Sequence, residues 1–259
     1  VWERLGALCA DLTEDEWKRP TAVPGWSVQD NLTHLTDIEA MSMGLPRSDH
    51  QAPDDLAHVK NDSGRRNEAF VDERRAWSGA QALAEFREVT GRRLAELRAL
   101  PAEGFGAESW TPMGPGTVRD LLPFRVFDSW VHEQDIREAL DRPGGCTGPA
   151  AEAAMDRIVG TAGYVVGKKV APPDGTVVAI ECTAPLARRL AIAVDGGRAR
   201  VLDAVPAEPT ARVTLPGPVY ARVACGRAEP AAVVAAGSVV IVGDEAIGRR
   251  VIEELNFLF

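Results

Sequence analysis

Thr117-Val118-Arg119-Asp120-Leu121-Leu122-Pro123-Phe124-Arg125-Val126-Phe127-Asp128-Ser129-Trp130-Val131-His132-Glu133-Gln134-Asp135 reads as one long helix. Thr117 with an acid three residues on predicts an N-cap, and Pro123, about two turns in, permits a kink. Asp128 and His132 are four residues apart, so their side chains leave one face a turn apart, in a stripe with Leu121, Arg125 and Asp135. Phe124, Phe127 and Val131 border this stripe on one side, and Leu122, Val126 and Trp130 on the other. A polar stripe between apolar ones is expected to be partly buried, where a carboxylate and an imidazole need partners. A divalent metal meets both needs at once, provided another ligand comes from elsewhere.

Outward from this helix, the chain of 259 residues is long enough for one large domain or two smaller ones. A net charge of −9 without a basic cluster argues against nucleic acid as a partner. Cys9, Cys146, Cys182 and Cys225 are scattered and form no C-x-x-C pair, which points to a reducing compartment rather than a disulfide framework or a thiolate zinc site. There is no apolar run of membrane-spanning length and no signal-peptide pattern, so a soluble, cytoplasmic protein is expected, with no membrane partner.

Before the central helix, residues 1–12 show helical spacing, Thr13-Glu14-Asp15-Glu16 is a capping box, and Pro24-Gly25-Trp26 is a turn. Ser27 with Asp30 opens a helix to about Gly44. Residues 45–57 read as a polar loop, 58–77 as a polar helix, and Ser78 caps another helix ending at Pro101. The Gly- and Pro-rich stretch 102–116 reads as a loop, placed to serve as a substrate lid. Beyond it, Arg142-Pro143-Gly144-Gly145 stops the central helix, and 149–169 is helical again. From 170 the character changes. Strands are expected at 176–180 and 211–215, a hairpin around Asp195-Gly196-Gly197, a helix at 218–226, a strand at 239–242 and a closing helix at 245–255. The division is therefore a helical part, 1–169, and a smaller α+β part, 170–259.

Of the four histidines, His50 and His58 lie in or beside the polar loop. His34 and His132 sit on amphipathic helices, and helix bundles build metal sites from such inward side chains. His34, Asp128 and His132 make two nitrogens and one oxygen, a set that leaves an open position as catalytic zinc sites do. Taken alone, His34 reads as a satisfied core histidine, and Asp128 is equally at home as a surface or cap carboxylate.

Several stretches together are similar to the mycothiol-dependent maleylpyruvate isomerase family, within the DinB-like metalloprotein group. They are Leu12-Thr13-Glu14-Asp15-Glu16-Trp17, Pro20-Thr21, Pro24-Gly25-Trp26-Ser27-Val28-Gln29-Asp30, His34-Leu35 and Asp128-Ser129-Trp130-Val131-His132-Glu133-Gln134-Asp135-Ile136-Arg137. Val213-Thr214-Leu215-Pro216-Gly217, Gly226-Arg227 and Gly243-Asp244 resemble the sterol-carrier-like domain that ends such proteins. The resemblance implies a DinB-like four-helix bundle followed by a smaller sterol-carrier-like α+β domain. It implies a divalent metal, usually zinc, on His34, Asp128 and His132, and mycothiol as thiol cosubstrate. The family pattern has Glu where this chain has Asp128, an arm one methylene shorter.

The activity implied is transfer or isomerisation by a metal-activated low-molecular-weight thiolate acting on a small electrophile. Arg125 is then placed to clamp a carboxylate of thiol or substrate, the alternative being a salt bridge within the bundle. Asp30 and Asp135, each one turn from a ligand histidine, are placed to orient the imidazoles. Trp26 and Trp130 read as core. Two rivals remain at this level: a non-catalytic metal- or apolar-ligand-binding protein, and a metal-dependent hydrolase.

Overall fold

A computed structural model describes residues Val1–Leu258. The chain forms two compact units, Val1–Gly145 and Cys146 onward. The division therefore falls at 145/146 and not at 169/170. Helical character alone placed residues 149–169 with the first part. In the structure helix α7 (Pro149–Val159) packs on α9 (Gly217–Ala224), burying Ala151, Ala154, Met155 and Ile158. Arg188 adds ion pairs to Glu152 and Asp156 of the same helix. The break itself is Gly144-Gly145, both at positive φ, which glycine adopts without a Cβ penalty.

The first unit is a helical bundle. Short helices α1 (Trp2–Leu8) and α2 (Glu14–Trp17) precede four longer ones: α3 (Val28–Ser42), α4 (Asp62–Arg74), α5 (Gly79–Ala99) and α6 (Val118–Ala139). Capping boxes start α2, α3, α5 and α6 at Thr13, Ser27, Ser78 and Thr117, each satisfying otherwise unpaired N–H groups. Pro123 lies inside α6, which continues past it. The core joins Leu5, Cys9, Trp17, Val28, Leu32, Leu35, Leu83, Phe86, Ile136 and Leu140.

Residues 102–116 are not an open loop. A 3₁₀ turn (Ala102–Gly106) leads into a two-stranded antiparallel hairpin, β1 (Glu108–Thr111) and β2 (Gly114–Thr117), that runs directly into α6. Its Gly and Pro content masked the strand pattern.

Helix α3 is the central element. It packs on α4, α5 and α6 and is buried from Val28 to Asp37 on every face. Its polar side chains therefore need partners inside the protein. Gln29 takes Lys18 Nζ at 2.7 Å and donates to Arg74 O at 2.6 Å. Asp37 pairs with Arg47 from the 45–57 loop.

Burial pushes the Asp37 carboxyl up to about 6 although Arg47 pulls it back. In the unfolded chain it titrates near 3.9. Between about pH 4 and 6 the native state thus holds a proton that the unfolded state has released. Stability falls as pH rises through that window, and the cost is complete above it. Urea unfolding at pH 4.5 and 7 is expected to show a loss in the native chain about 2 kcal/mol larger than in Asp37→Asn. Equal losses would mean that this carboxyl titrates normally.

In the second unit, α7 is followed by α8 (Ala162–Tyr164) and a π-helical turn (Val165–Val170), then a five-stranded sheet of order β5-β4-β3-β6-β7. The strands are β3 (Val177–Thr183), β4 (Arg188–Asp195), β5 (Arg198–Val201), β6 (Ala211–Pro216) and β7 (Val240–Gly243). Only β3 and β6 pair in parallel, with Ile180 opposite Val213. The β4–β5 hairpin turns on Gly196 and Gly197, at φ 54° and 68°, the pair of positive values a two-residue turn of this hand requires. Besides α9 the unit holds α10 (Pro230–Ala235), which the sequence reading omits, and α11 (Glu245–Glu253). Among the described residues no helix is long and apolar enough to cross a membrane.

Candidate metal centre

Helices α3 and α6 run antiparallel. Asn31 and His34 face His132 and Asp128, while Glu39, further along α3, faces Arg125, further back along α6. That pairing brings together His34, Asp128 and His132, whose nearest donor atoms all lie within 4.8 Å of one another. His34 Nε2 is 3.7 Å from Asp128 Oδ2, and His132 Nε2 is 3.7 Å from Asp128 Oδ1. The imidazole centroids are 5.0 Å apart with planes at 70°. The histidines are 5% and 6% exposed, whereas the Asp128 side chain is 27% exposed, so the cluster reaches solvent on the carboxylate side.

The arrangement fits a cation. With bonds of about 2.0–2.2 Å, tetrahedral donors stand roughly 3.3–3.6 Å apart, close to both carboxylate–imidazole separations. The hydrogen bonds also fix the histidine tautomer that a metal needs. Asn31 Nδ2 donates to Thr21 Oγ1 at 2.9 Å and Ser27 O at 2.8 Å, which turns its Oδ1 toward His132 Nδ1, 2.6 Å away. Asp135 Oδ2 is 3.2 Å from the same nitrogen. Both are acceptors, so Nδ1 carries the hydrogen and Nε2 presents its lone pair. His34 Nδ1 is buried with no hydrogen-bond partner among the described residues. Burial pushes the His34 imidazole down despite the adjacent Asp128, which keeps it neutral and able to ligate. For Asp128, burial opposes ionisation, but the adjacent Arg125 guanidinium outweighs it and holds the carboxyl well below the usual range.

Arg125 is turned inward. Its Nε donates to Glu39 Oε1 at 2.7 Å and its Nη1 to Asp128 Oδ2 at 2.9 Å, while Nη2 is buried with no hydrogen-bond partner among the described residues. This is the intra-bundle salt bridge, and it holds the guanidinium largely buried beside Asp128. Asp135 lies where orientation of His132 was expected. Asp30 does not orient His34. Its carboxylate accepts from Ser27 N at 2.8 Å, completing the α3 cap, and meets Arg75. Trp130 is core, donating to Gly145 O at 2.8 Å. Trp26 is not core: half-buried, its ring sits 5.0 Å from that of His34 and 6.0 Å from that of His132. His50 pairs with Asp72 and His58 with Glu68 instead of joining the cluster.

Asn31 and Glu39 are site-supporting residues that sequence reasoning missed. A signal for Asn31 existed, because it lies one turn before His34 on the same face.

The family model for the mycothiol maleylpyruvate isomerase N-terminal domain matches residues 1–137, which include all three clustered donors. Uncharacterized protein Rv0036c of Mycobacterium tuberculosis (strain ATCC 25618 / H37Rv) is 30% identical over 142 residues, 52% of this chain and 52% of that protein. Uncharacterized protein MT0041 of strain CDC 1551 / Oshkosh matches to the same extent. The chain spans about half the length of the curated relatives it matches. The crystal structure of the mycothiol-dependent maleylpyruvate isomerase is similar at a TM-score of 0.51 and 14% identity, covering 93% of this chain and 88% of that one. At that identity the likeness is one of fold: a helical bundle followed by a β-rich unit.

Proposed function

The chain belongs to the mycothiol maleylpyruvate isomerase N-terminal domain family, and we propose that it is a metal-dependent enzyme adding a low-molecular-weight thiol, mycothiol, to a small electrophile. The observation that carries this reading is the convergence of His34, Asp128 and His132 within 4.8 Å, with a neutral imidazole at His34 and a fixed tautomer at His132. These three residues would hold a divalent cation, zinc by the nature of the donors. When bound, zinc supplies a Lewis acid that keeps a thiol as thiolate at neutral pH. Asn31 and Asp135 orient His132, and Arg125, backed by Glu39, keeps Asp128 charged and in place.

Three of the chain's four thiols are poorly suited to the nucleophile's role. Cys9, Cys182 and Cys225 are buried, and burial pushes Cys9 and Cys182 up to about 12. A thiol from solution fits the reaction better. Addition to a conjugated cis-alkene, bond rotation and elimination return the thiol and give isomerisation. Where the electrophile carries a leaving group, the thiol is transferred instead. A DinB-like bundle and a sterol-carrier-like second unit belong to the same reading.

The test is to load the protein with zinc and supply mycothiol with a conjugated cis-alkene diacid or another soft electrophile. Turnover is expected only when metal and thiol are both present. Activity without thiol would replace this reading with hydrolysis, and metal-loaded protein that neither binds nor consumes thiol would leave a binding protein.

A further inference from the structure

The Pro24-Gly25-Trp26 turn is held over the candidate metal centre by a latch from α4. Trp26 Nε1 donates to Glu68 Oε2 at 2.8 Å. Glu68 is 1% exposed on a helix that is otherwise largely polar. A carboxylate buried so deeply must be met by donors. His58 Nε2 stands 3.0 Å from the oxygen that Trp26 uses, and Arg75 Nη1 is 2.7 Å from the other. Arg75 Nη2 also donates to Gly25 O at 3.3 Å, so one guanidinium ties the carboxylate and the turn together. Gly25 lies at φ +78°, and a Cβ there would run into the His58 ring. Helix α4 already buries Phe70 and Val71, so its packing does not call for a buried charge at position 68. What the carboxylate secures is the indole, which lies 5.0 Å from the ring of His34 and 6.0 Å from that of His132.

We infer that Glu68 is a positioning residue that fixes Trp26 against the two imidazoles and so closes the imidazole side of the cation, leaving ligands the Asp128 side and slowing access by a bulky chelator. The inference rests on the cation being held by His34, Asp128 and His132. Two measurements separate its failure from that of the metal reading. The first needs no metal: solvent exchange of the Trp26 indole N–H by NMR, assigned with Trp26→Phe. Exchange is expected to speed up at least about tenfold in Glu68→Ala and to stay near the native rate in Glu68→Gln, whose carbonyl still accepts the N–H. The second is the rate at which a bulky chelator strips cobalt(II) from the loaded protein, expected to follow the same order with a rise of about tenfold in Glu68→Ala. A folded Glu68→Ala protein with native rates in both measurements overturns the inference. So does a folded Glu68→Gln protein as fast as Glu68→Ala. If the native chain takes up no cobalt, the metal reading fails, and indole exchange still decides whether the latch exists.

Discussion

Replacing His34 with alanine is expected to abolish stoichiometric metal binding while leaving the bundle folded. The residue supplies the only one of the three donors that comes from α3, so its loss leaves Asp128 and His132 on a single helix turn. Loss of a residue that only hydrogen-bonds a ligand side chain alters affinity by about 10–100-fold, and removal of a direct donor is expected to exceed the upper end of that range. Metal analysis after equilibrium against a competing chelator measures it, with circular dichroism confirming the fold. His50→Ala is the matched control. That imidazole is paired with Asp72, away from the cluster, and its loss should leave one metal per chain. One tightly held metal in His34→Ala would break the triad and, with it, the thiol chemistry.

Arg125→Met has the largest expected effect on stability. A buried ionic chain runs from Arg93 through Glu39 and Arg125 to Asp128, with separations of 3.7, 2.7 and 2.9 Å. Methionine fills the volume but leaves Glu39 with only the distant Arg93, and Asp128 with only the imidazoles. Removing one partner of a buried pair costs about 3–5 kcal/mol, to be read from urea unfolding of the metal-free protein. Added zinc should recover more stability in the variant than in the native chain, because the cation takes over the charge that Asp128 has lost. Arg125→Lys keeps a charge but cannot bond both acids through one planar fork, so it should restore only part. If stability were unchanged and only KM rose, Arg125 would be contacting substrate rather than supporting Asp128.

The helix starts were legible from the residues because a cap is a local object. Thr13, Ser27, Ser78 and Thr117 each bond within three residues, and each opens a helix in the structure. The Asp128–His132 spacing was legible for the same reason, as were the β-branched strands of the second unit. The hairpin at 108–117 was hidden by its glycines and prolines, and the 145/146 division by the helical character of α7.

By itself, then, the sequence determined the local elements and the residue types able to bind a cation. It also placed two of the three donors on one face, since helix period alone decides that. Only the tertiary structure decided that α3 is enclosed on all sides, that His34 meets Asp128 across the bundle, that Arg125 turns inward to Glu39, and that Trp26 leaves the core to cover the imidazoles. Those contacts join residues far apart in the chain. They depend on which buried polar group finds which partner once the helices pack, and no spacing along a single helix encodes that choice.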